Sequence, residues 1–380
     1  MVGHPTIVGA REEATRAEGR SCQALMADAT LGALAEAGLG LAEVDAVFTS
    51  HTWEEPTLME SVLLAERLGI EPALCETVSL GGASPVAMVG RAAASIEAGD
   101  CSVAVLASAG NRSSGLGREA AIAALRDVAH PTAEVPFGAY IPALYALLAA
   151  RHMHSYGTTS EQLAAVAVGQ RANAATRALA AKTKPISVAD VLASPLIASP
   201  LHMLDCCLVT DFAAALVITA EDRADAGAKP PVRVLGWGEG HGPLSLTRTA
   251  PLEAPAAARR AGEEAFRRAR VRPGEIESAQ LYDSFTITVL LLLEALGLAA
   301  PGEAAGLVES GATGPDGRLP LNTNGGMLSF ATGGMFHLTE AVATLRDERL
   351  GRPVDTAAVH GVGGIFSSHA TAILGTERTG

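Results

Sequence analysis

The sequence predicts an α/β fold, and three observations support this prediction. Between residues 44 and 108, segments of strand length alternate with segments of helix length in the order β-α-β-α-β. This order within so short a span favours a parallel sheet with right-handed crossovers. Later, a predicted strand at Glu277–Tyr282 runs into Phe285–Leu296, which is apolar almost all round, as expected of a buried helix. The second half of the chain also repeats a strand–helix–strand plan, which suggests an internal duplication.

The individual elements follow from apolar spacing, helix caps and helix-ending glycines. The predicted strands are 44–50, 76–80, 103–108, 213–219, 232–237, 277–282, 356–360 and 368–374. The predicted helices are 58–68, 82–97, 140–154, 159–177, 255–268, 285–296 and 335–346. Residues at about 109–200 are predicted to be an insertion that covers one end of the sheet. A linker is predicted at 222–231, where Pro230-Pro231 favours extended backbone. The chain therefore divides into residues 1–225, which contain the insertion, and residues 232–380.

Composition and charge exclude several classes of protein. The chain has 380 residues, enough for two domains of ordinary size. A net charge of −13 argues against nucleic-acid binding. The longest apolar run, near residue 290, is too short to cross a bilayer and contains Glu294. The N-terminus lacks the pattern of a signal peptide, and the five cysteines form no CxxC pair. We therefore expect reduced thiols in a cytoplasmic protein, with no membrane contact and no zinc ribbon within this chain.

The polar turn Tyr282-Asp283-Ser284 is the predicted floor of an active site. It lies between a predicted strand and a buried helix, and ligands of open α/β sheets bind at the carboxyl ends of strands. Two glycine-rich turns, around Gly325 and Gly363, are expected to converge on it. Such turns allow close backbone approach to a ligand and leave amide groups free for an oxyanion.

A series of short motifs carries a family resemblance. They are Tyr156–Leu163, Val188–Pro195, Leu201–Cys207, Tyr282–Thr286, Leu321–Gly326, Glu340–Arg346 and His360–Gly364. In this order, and over nearly the whole chain, they resemble the sterol carrier protein-x branch of the thiolase superfamily. The resemblance implies a thiolase fold, which has five layers, α/β/α/β/α, built from two related halves. It also implies a homodimer that acts on coenzyme A thioesters.

The departures from the thiolase pattern predict a different reaction. The nucleophilic cysteine of a thiolase would fall on Gly82, which has no side chain to acylate. The amino terminus of the helix that follows can still stabilise an anion. The other three catalytic stations would fall on the turn at Tyr282, near Phe330–Thr332, and on Gly361–Gly364 after His360. All four stations are changed, so no acyl-enzyme is expected at Gly82.

A site that stabilises a thioester enolate without a nucleophile can cleave a β-hydroxyacyl-CoA by a retro-aldol reaction. The reaction needs paired proton-transfer groups and an oxyanion hole. Tyr282, His337 and His360 are the predicted titratable groups, with Asp283 as an organiser of the turn or as a base. Gly82, Gly325, Gly326, Gly363, Gly364 and His51 are the predicted substrate or oxyanion residues. No metal and no covalently bound cofactor is predicted, because coenzyme A is part of the substrate. The resemblance narrows further, to the lipid-transfer-protein-like aldolases of steroid side-chain degradation, and implies a small partner subunit with a zinc ribbon and an OB fold.

Each candidate residue has a structural alternative. Tyr282 could be a buried tyrosine with a satisfied hydroxyl, and His337 could be a helix-packing histidine. His369 is predicted to be structural, and Cys206-Cys207 are predicted to lie in the core. Cys75 is disfavoured as a displaced nucleophile because it lies before the second predicted strand. Ser79 and Ser84 are disfavoured because neither has an evident paired base in the sequence.

Three functions stay open from the sequence. The first is a CoA-dependent aldolase that splits a bulky β-hydroxyacyl-CoA. The second is an acyltransferase or condensing enzyme within a multiprotein complex, which would use a nucleophile from elsewhere. The third is a non-catalytic scaffold that binds acyl-CoA or supports a partner subunit.

Overall fold

The computed structural model describes residues 4–114, 128–221 and 229–379, apart from positions 16, 18, 139 and 253. Most of the predicted linker at 222–231, and the predicted domain boundary at 225, lie outside these described residues. The two-domain division therefore stays a prediction.

Nine strands of the described chain form one mixed sheet, and two more form a short ribbon. The strands are β1 (Thr6–Thr15), β2 (Ala46–Ser50), β3 (Leu74–Val78), β4 (Val103–Asn111), β5 (Leu196–Ala198), β6 (Leu201–His202), β7 (Asp211–Thr219), β8 (Val232–His241), β9 (Ser278–Leu281), β10 (Thr356–Gly363) and β11 (Ser368–Gly375). The order in the large sheet is β3-β2-β4-β7-β1-β8-β11-β10-β9, and β5 pairs with β6.

The same pairing pattern occurs twice in the large sheet. In the first half, β1 and β4 run antiparallel to β7, whereas β2 runs parallel to β4 and β3. In the second half, β8 and β10 run antiparallel to β11, whereas β9 runs parallel to β10 and makes a parallel bridge at Leu321. Strands β2 and β9 therefore hold equivalent positions. The pairs Thr6–Arg233 and Ile7–Val232 join the two halves through β1 and β8.

The helices form three layers around the two halves of the sheet. They are α1 (Cys22–Ala37), α2 (Glu60–Leu68), α3 (Ser84–Ala98), α4 (Ile141–Tyr156), α5 (Ser160–Ala174), α6 (Val188–Ala193), α7 (Ala256–Ala269), α8 (Thr286–Ala295), α9 (Ala304–Glu309), α10 (Gly326–Ser329) and α11 (Met335–Leu345). Helices α1 and α2 cover the first half, and α7 and α8 cover the second half. Helices α3 and α11 pack against strands of both halves and bury the central core. The predicted five-layered arrangement is confirmed.

Local signals explain where the helices begin and end. Helix α5 starts with a capping box, in which the Thr159 side chain accepts from the Gln162 backbone and the Gln162 side chain accepts from the Thr159 backbone. Helix α3 carries Pro85 in its first turn and ends at Gly99, whose φ of 80° suits glycine. Helix α8 is buried throughout except at its last two residues, which matches its all-round apolar sequence.

The predicted elements from residue 44 onward occur in the structure, with boundaries shifted by a few residues. The sequence pattern missed β1 and α1, because β1 carries Arg11-Glu12-Glu13 and α1 is rich in alanine on all sides. The predicted turn at Gly361–Gly364 is corrected, since β10 continues to Gly363 and the turn begins at Gly364. In the predicted insertion, α4 and α5 pack against α8 on the outside of the second half. No helix of the described ranges is both long and apolar enough to span a bilayer.

Candidate active site

A cavity of about 320 Å³ lies beside the carboxyl ends of β2 and β9. Predicted site residues that line it are His51, Gly82, Tyr282 and Gly364. Other residues of its wall, which the sequence did not single out, are Ser50, Trp53, Glu54, Ser108, Arg112, Ile141, Tyr145, Val209, Phe212 and Phe285. The predicted residues Asp283, Gly325, Gly326, His337, His360 and Gly363 lie outside the cavity wall formed by the described chain.

The ring of Tyr282 occupies the space in front of Gly82. A β-carbon built on Gly82 would approach two ring carbons of Tyr282 and the Val362 carbonyl oxygen closer than 3.0 Å. A phenol therefore fills the volume where a side chain at position 82 would extend. Burial raises the pKa of the Tyr282 phenol above its ordinary value, so the group stays protonated at neutral pH. Within the described residues its hydroxyl has no hydrogen-bond partner, which leaves it free for a ligand.

The structure brings together Asp283 and His337, which the sequence placed 54 residues apart. His337 Nε2 lies 3.0 Å from Asp283 Oδ1, and both side chains are almost completely buried. The backbone N–H groups of Met327 and Leu328 also donate to the two carboxylate oxygens, at 2.9 and 3.0 Å. The His337 ring lies behind the Tyr282 ring, with centroids 6.2 Å apart. The pair therefore supports the turn behind Tyr282 and does not face the cavity.

Gly326 provides the close approach that the Asp283 carboxylate requires. It opens α10 with a φ of 57°, and a β-carbon at this position would collide with both Asp283 oxygens. The neighbouring Gly325 instead lies against Gln170 and Ala174 of α5. The predicted convergence of the glycine-rich turn on Tyr282 thus occurs through Asp283, one layer behind the cavity.

His360 is placed away from the cavity. Its Nδ1 lies 2.8 Å from Thr371 Oγ1, and its Nε2 lies 3.0 Å from Nδ1 of His369. Burial, and then the neighbouring His369 ring, hold the pKa of His360 well below the usual range. Both histidines are therefore neutral in the folded protein at neutral pH. His360 reaches the site through its backbone, because its carbonyl accepts from the Tyr282 N–H at 2.9 Å.

His51 lines the cavity and contacts the carboxylate of a residue that the sequence gave no reason to select. Its Nδ1 lies 2.9 Å from Oε1 of Glu60. About a third of the His51 side chain is exposed, whereas Glu60 is completely buried. Glu60 lies at the first position of α2, where a helix-starting carboxylate is common, so the sequence offered no signal of this contact.

Two further polar pairs form the cavity wall. Arg112 Nε donates to Glu54 Oε1 at 2.7 Å, and the guanidinium stacks near the rings of Trp53 and Phe212, at 5.8 and 5.6 Å from their centroids. Ser50 and Ser108 share a hydrogen bond of 2.6 Å. These side chains belong to β2, β4 and the loops that follow the two strands. Their proximity depends on the pairing of β2 with β4 and was not evident from their spacing in the sequence.

The prediction that Cys206 and Cys207 lie in the core is correct only in part. Cys206 packs against the core of the second half, but both residues also line the cavity. Their segment passes next to the turn at Tyr282–Ser284, where the Cys207 N–H donates to the Ser284 carbonyl at 2.9 Å. Burial raises the pKa of each thiol to about 12. Both are therefore protonated at neutral pH and are weak nucleophiles in this state.

Comparison with known proteins identifies the family. Residues 238–376 match the family model described as Thiolase C-terminal domain-like. A steroid side-chain-cleaving aldolase of Thermomonospora curvata is 35% identical over 384 residues, which cover 96% of each chain. This chain belongs to the thiolase superfamily.

Two more relatives place this thiolase-superfamily protein near the aldolases. A 17-hydroxy-3-oxo-4-pregnene-20-carboxyl-CoA lyase of Mycobacterium tuberculosis is 33% identical, over 100% of this chain and 99% of the relative. The solved structure of an Ltp2-ChsH2(DUF35) aldolase aligns with a TM-score of 0.89 and 33% identity, over 99% of both chains. The predicted fold, the predicted branch of the superfamily and the predicted carbon–carbon lyase activity on a CoA thioester are confirmed. The roles of individual site residues and the cytoplasmic location stay predictions.

Proposed function

We propose that this protein cleaves a bulky β-hydroxyacyl-CoA of the steroid side-chain class into a carbonyl product and a shorter acyl-CoA. The observation that carries the proposal is the Tyr282 phenol in front of Gly82, where the thiolase resemblance implies a nucleophilic cysteine. The site thus offers a proton donor in place of a group that could be acylated. Apolar wall residues such as Trp53, Phe212 and Phe285 suit a bulky hydrophobic acyl group.

The proposed reaction is balanced without a metal or an oxidant. A base removes the proton from the β-hydroxyl group, and the electrons of the broken O–H bond form the second bond of the new carbonyl group. The Cα–Cβ bond breaks, and its electrons pass to the thioester as an enolate. An acid then delivers a proton to Cα, which gives the shorter acyl-CoA. The proton held by the base returns to the acid through solvent, so the enzyme is unchanged after one turnover.

We assign the acid role to Tyr282. A raised pKa keeps the phenol protonated until a strongly basic enolate forms beside it, so the donor is present at the moment it is needed. The buried Asp283–His337 pair acts as a positioning unit, because it holds the turn on which Tyr282 lies. The three predicted catalytic groups Asp283, His337 and His360 therefore act behind the cavity and not on the substrate.

The experiment that tests the acid role is a turnover measurement on Tyr282→Phe. Product analysis by mass spectrometry with a panel of β-hydroxyacyl-CoA thioesters first defines the substrate of the wild-type protein. We expect Tyr282→Phe to lower kcat by about a hundredfold or more, the usual scale for a lost proton-transfer group, with an unchanged thermal midpoint. Tyr140→Phe is the matched control, because Tyr140 donates to the Ile197 carbonyl outside the cavity and should retain full turnover. Unchanged turnover in Tyr282→Phe would remove this residue from the mechanism.

A second candidate function is acyl transfer, and the thiols of Cys206 and Cys207 are the observation that favours it. A cysteine in the cavity could form a covalent acyl-enzyme if a base lowered its pKa in the complex with substrate. Intact-protein mass spectrometry after incubation with acyl-CoA distinguishes the two functions. A stoichiometric acyl adduct on either cysteine supports transfer, and its absence during turnover supports the lyase. Tight acyl-CoA binding without any turnover would instead support the scaffold alternative.

We also propose that the active assembly is a homodimer that binds a zinc-ribbon and OB-fold partner. The relative named Ltp2-ChsH2(DUF35) aldolase supports the partner. Strand β3 supports the dimer, because it ends the large sheet and lies near exposed apolar side chains, of which Leu58 is 95% and Met59 is 61% exposed. An edge strand of this kind usually pairs or is covered. Light scattering on the purified chain, alone and with a candidate partner, measures both interactions.

A further inference from the structure

The proposed retro-aldol reaction needs a base that faces the cavity, and most candidates fail this requirement. Tyr282 is protonated, and the thiols of Cys206 and Cys207 are protonated as well. The carboxylate of Glu54 is engaged by Arg112. Of the imidazoles in the described chain, only that of His51 belongs to the cavity wall.

We propose that His51, held by the Glu60 carboxylate, is the base that accepts the β-hydroxyl proton in the retro-aldol step. This inference rests on the proposed function and names a catalytic residue for it. Glu60 is proposed as a positioning residue, because it acts on the substrate only through His51.

The hydrogen bonds around Glu60 determine which nitrogen of His51 carries the proton. The backbone N–H of Thr52 lies 3.0 Å from both carboxylate oxygens, and the Thr52 hydroxyl, which carries one proton, lies 3.0 Å from both Oε1 and the Glu55 carbonyl oxygen. Glu60 therefore acts as an acceptor throughout, and His51 Nδ1 must donate its proton to Oε1 across 2.9 Å. In this tautomer the lone pair is on Nε2, which has no hydrogen-bond partner among the described residues.

The backbone fixes the position of this imidazole as well. His51 directly follows the last residue of β2, and its N–H donates to the Val78 carbonyl of β3 at 3.0 Å. Tyr282 directly follows the last residue of β9, the strand that is equivalent to β2 in the second half. Each half of the protein thus places one proton-transfer ring at the same point of its sheet, and both rings line the same cavity.

In the proposed step, His51 Nε2 takes the proton of the β-hydroxyl group and becomes an imidazolium paired with Glu60. The Cα–Cβ bond breaks to give the carbonyl product and the thioester enolate, and Tyr282 protonates Cα. The imidazolium then loses its proton to solvent and the Tyr282 phenolate takes a proton from solvent, which restores both groups. Each proton removed is thus matched by one delivered, and no further reactant is required.

The first test separates the two half-reactions. We expect His51→Asn to lower kcat for cleavage by about a hundredfold, with KM changed less than about threefold. We also expect this variant to retain exchange of the Cα proton of the product acyl-CoA in D₂O. In this half-reaction the phenolate form of Tyr282 removes the Cα proton, by the reverse of the protonation step, and His51 takes no part. Tyr282→Phe should lose both cleavage and exchange. His154→Asn is the matched control, since His154 is exposed and lies outside the cavity wall.

The second test addresses Glu60 through a double-mutant cycle. Glu60→Gln should lower kcat by about tenfold or more in the wild-type background and should have no further effect on kcat in the His51→Asn background. A purely structural role would instead lower thermal stability equally in both backgrounds without this dependence.

The possible failures are distinguishable. Unchanged cleavage by His51→Asn, while Tyr282→Phe is inactive, overturns the assignment of His51 and leaves the proposed function standing. Loss of both cleavage and exchange in a stable His51→Asn variant also overturns it, because His51 would then not be specific to the β-hydroxyl step. A wild-type protein that neither cleaves any β-hydroxyacyl-CoA nor exchanges the Cα proton overturns the proposed function itself.

Discussion

The two halves of the protein each contain an imidazole–carboxylate pair near the end of the middle parallel strand. In the first half, His51 is a third exposed and its partner Glu60 is buried, so the pair opens onto the cavity. In the second half, His337 and Asp283 are both buried, and the Tyr282 ring stands between this pair and the cavity. An imidazole–carboxylate pair therefore faces the cavity in one half and lies behind a neighbouring residue in the other. The difference lies in what covers the pair, not in its hydrogen bond.

The largest expected effect tests whether the Asp283 pair is structural. Asp283→Ala removes the acceptor of His337 and of two backbone N–H groups, none of which can reach water. We expect the free energy of unfolding to fall by about 3–5 kcal/mol. Glu60→Ala should lower the free energy of unfolding by clearly less than Asp283→Ala, because solvent can reach His51 from the cavity. Urea denaturation of both variants measures the difference, and equal losses would contradict the contrast between a sealed and an open pair.

Two glycine substitutions further test the difference between the cavity wall and the buried Asp283–His337 pair. Gly82→Ala would push the added methyl group into the Tyr282 ring, so we expect turnover to fall by about a hundredfold with a modest loss of stability. Gly326→Ala would push it into the Asp283 carboxylate and also requires alanine at a φ of 57°. This variant should lose about 2 kcal/mol or more of stability. Turnover per folded molecule and chemical denaturation are the two measurements. If Gly82→Ala kept full turnover, the Tyr282 ring would not need its present position.

A further comparison concerns the pH dependence of stability, which should have opposite signs in the two halves. Glu12 on β1 accepts from Thr339, and burial raises its pKa from 4.5 to about 7. The folded state thus binds more protons between these values, so its contribution to stability is present below pH 4.5 and lost as the pH rises through 7. His369 on β11 has a pKa lowered from 6.5 to about 4 by burial. Its contribution is present above pH 6.5 and lost as the pH falls through 4.

Denaturation of single variants between pH 4.5 and 7.5 separates these two contributions. Glu12→Gln should gain up to about 3 kcal/mol relative to the wild-type protein as the pH rises across this range. His369→Gln should show the reverse trend, with a gain relative to the wild type as the pH falls. Parallel wild-type and Glu12→Gln curves would mean that the carboxyl group titrates normally in the folded protein.

The sequence by itself determined much of this protein. The alternation of apolar segments predicted the α/β order, and the apolar run at 285–296 predicted the buried helix behind the catalytic turn. Glycine at position 82 was sufficient to predict a reaction without a cysteine at that position, because a missing side chain is a local property of the chain. The polar turn at Tyr282 was also predicted, since it lies directly after a strand.

Only the tertiary structure decided which titratable groups face the cavity. His337 follows a glycine-rich segment and His360 precedes one, yet the His337 side chain turns toward Asp283 and the His360 side chain turns toward His369. Glu60 had no sequence signal, because its partner lies on another element and their contact depends on how α2 packs beside β2. The apolar periodicity of a strand or helix specifies on which face of that element a residue lies. The layer that covers this face is formed by distant parts of the chain. Packing between elements therefore decided which titratable side chains face the cavity.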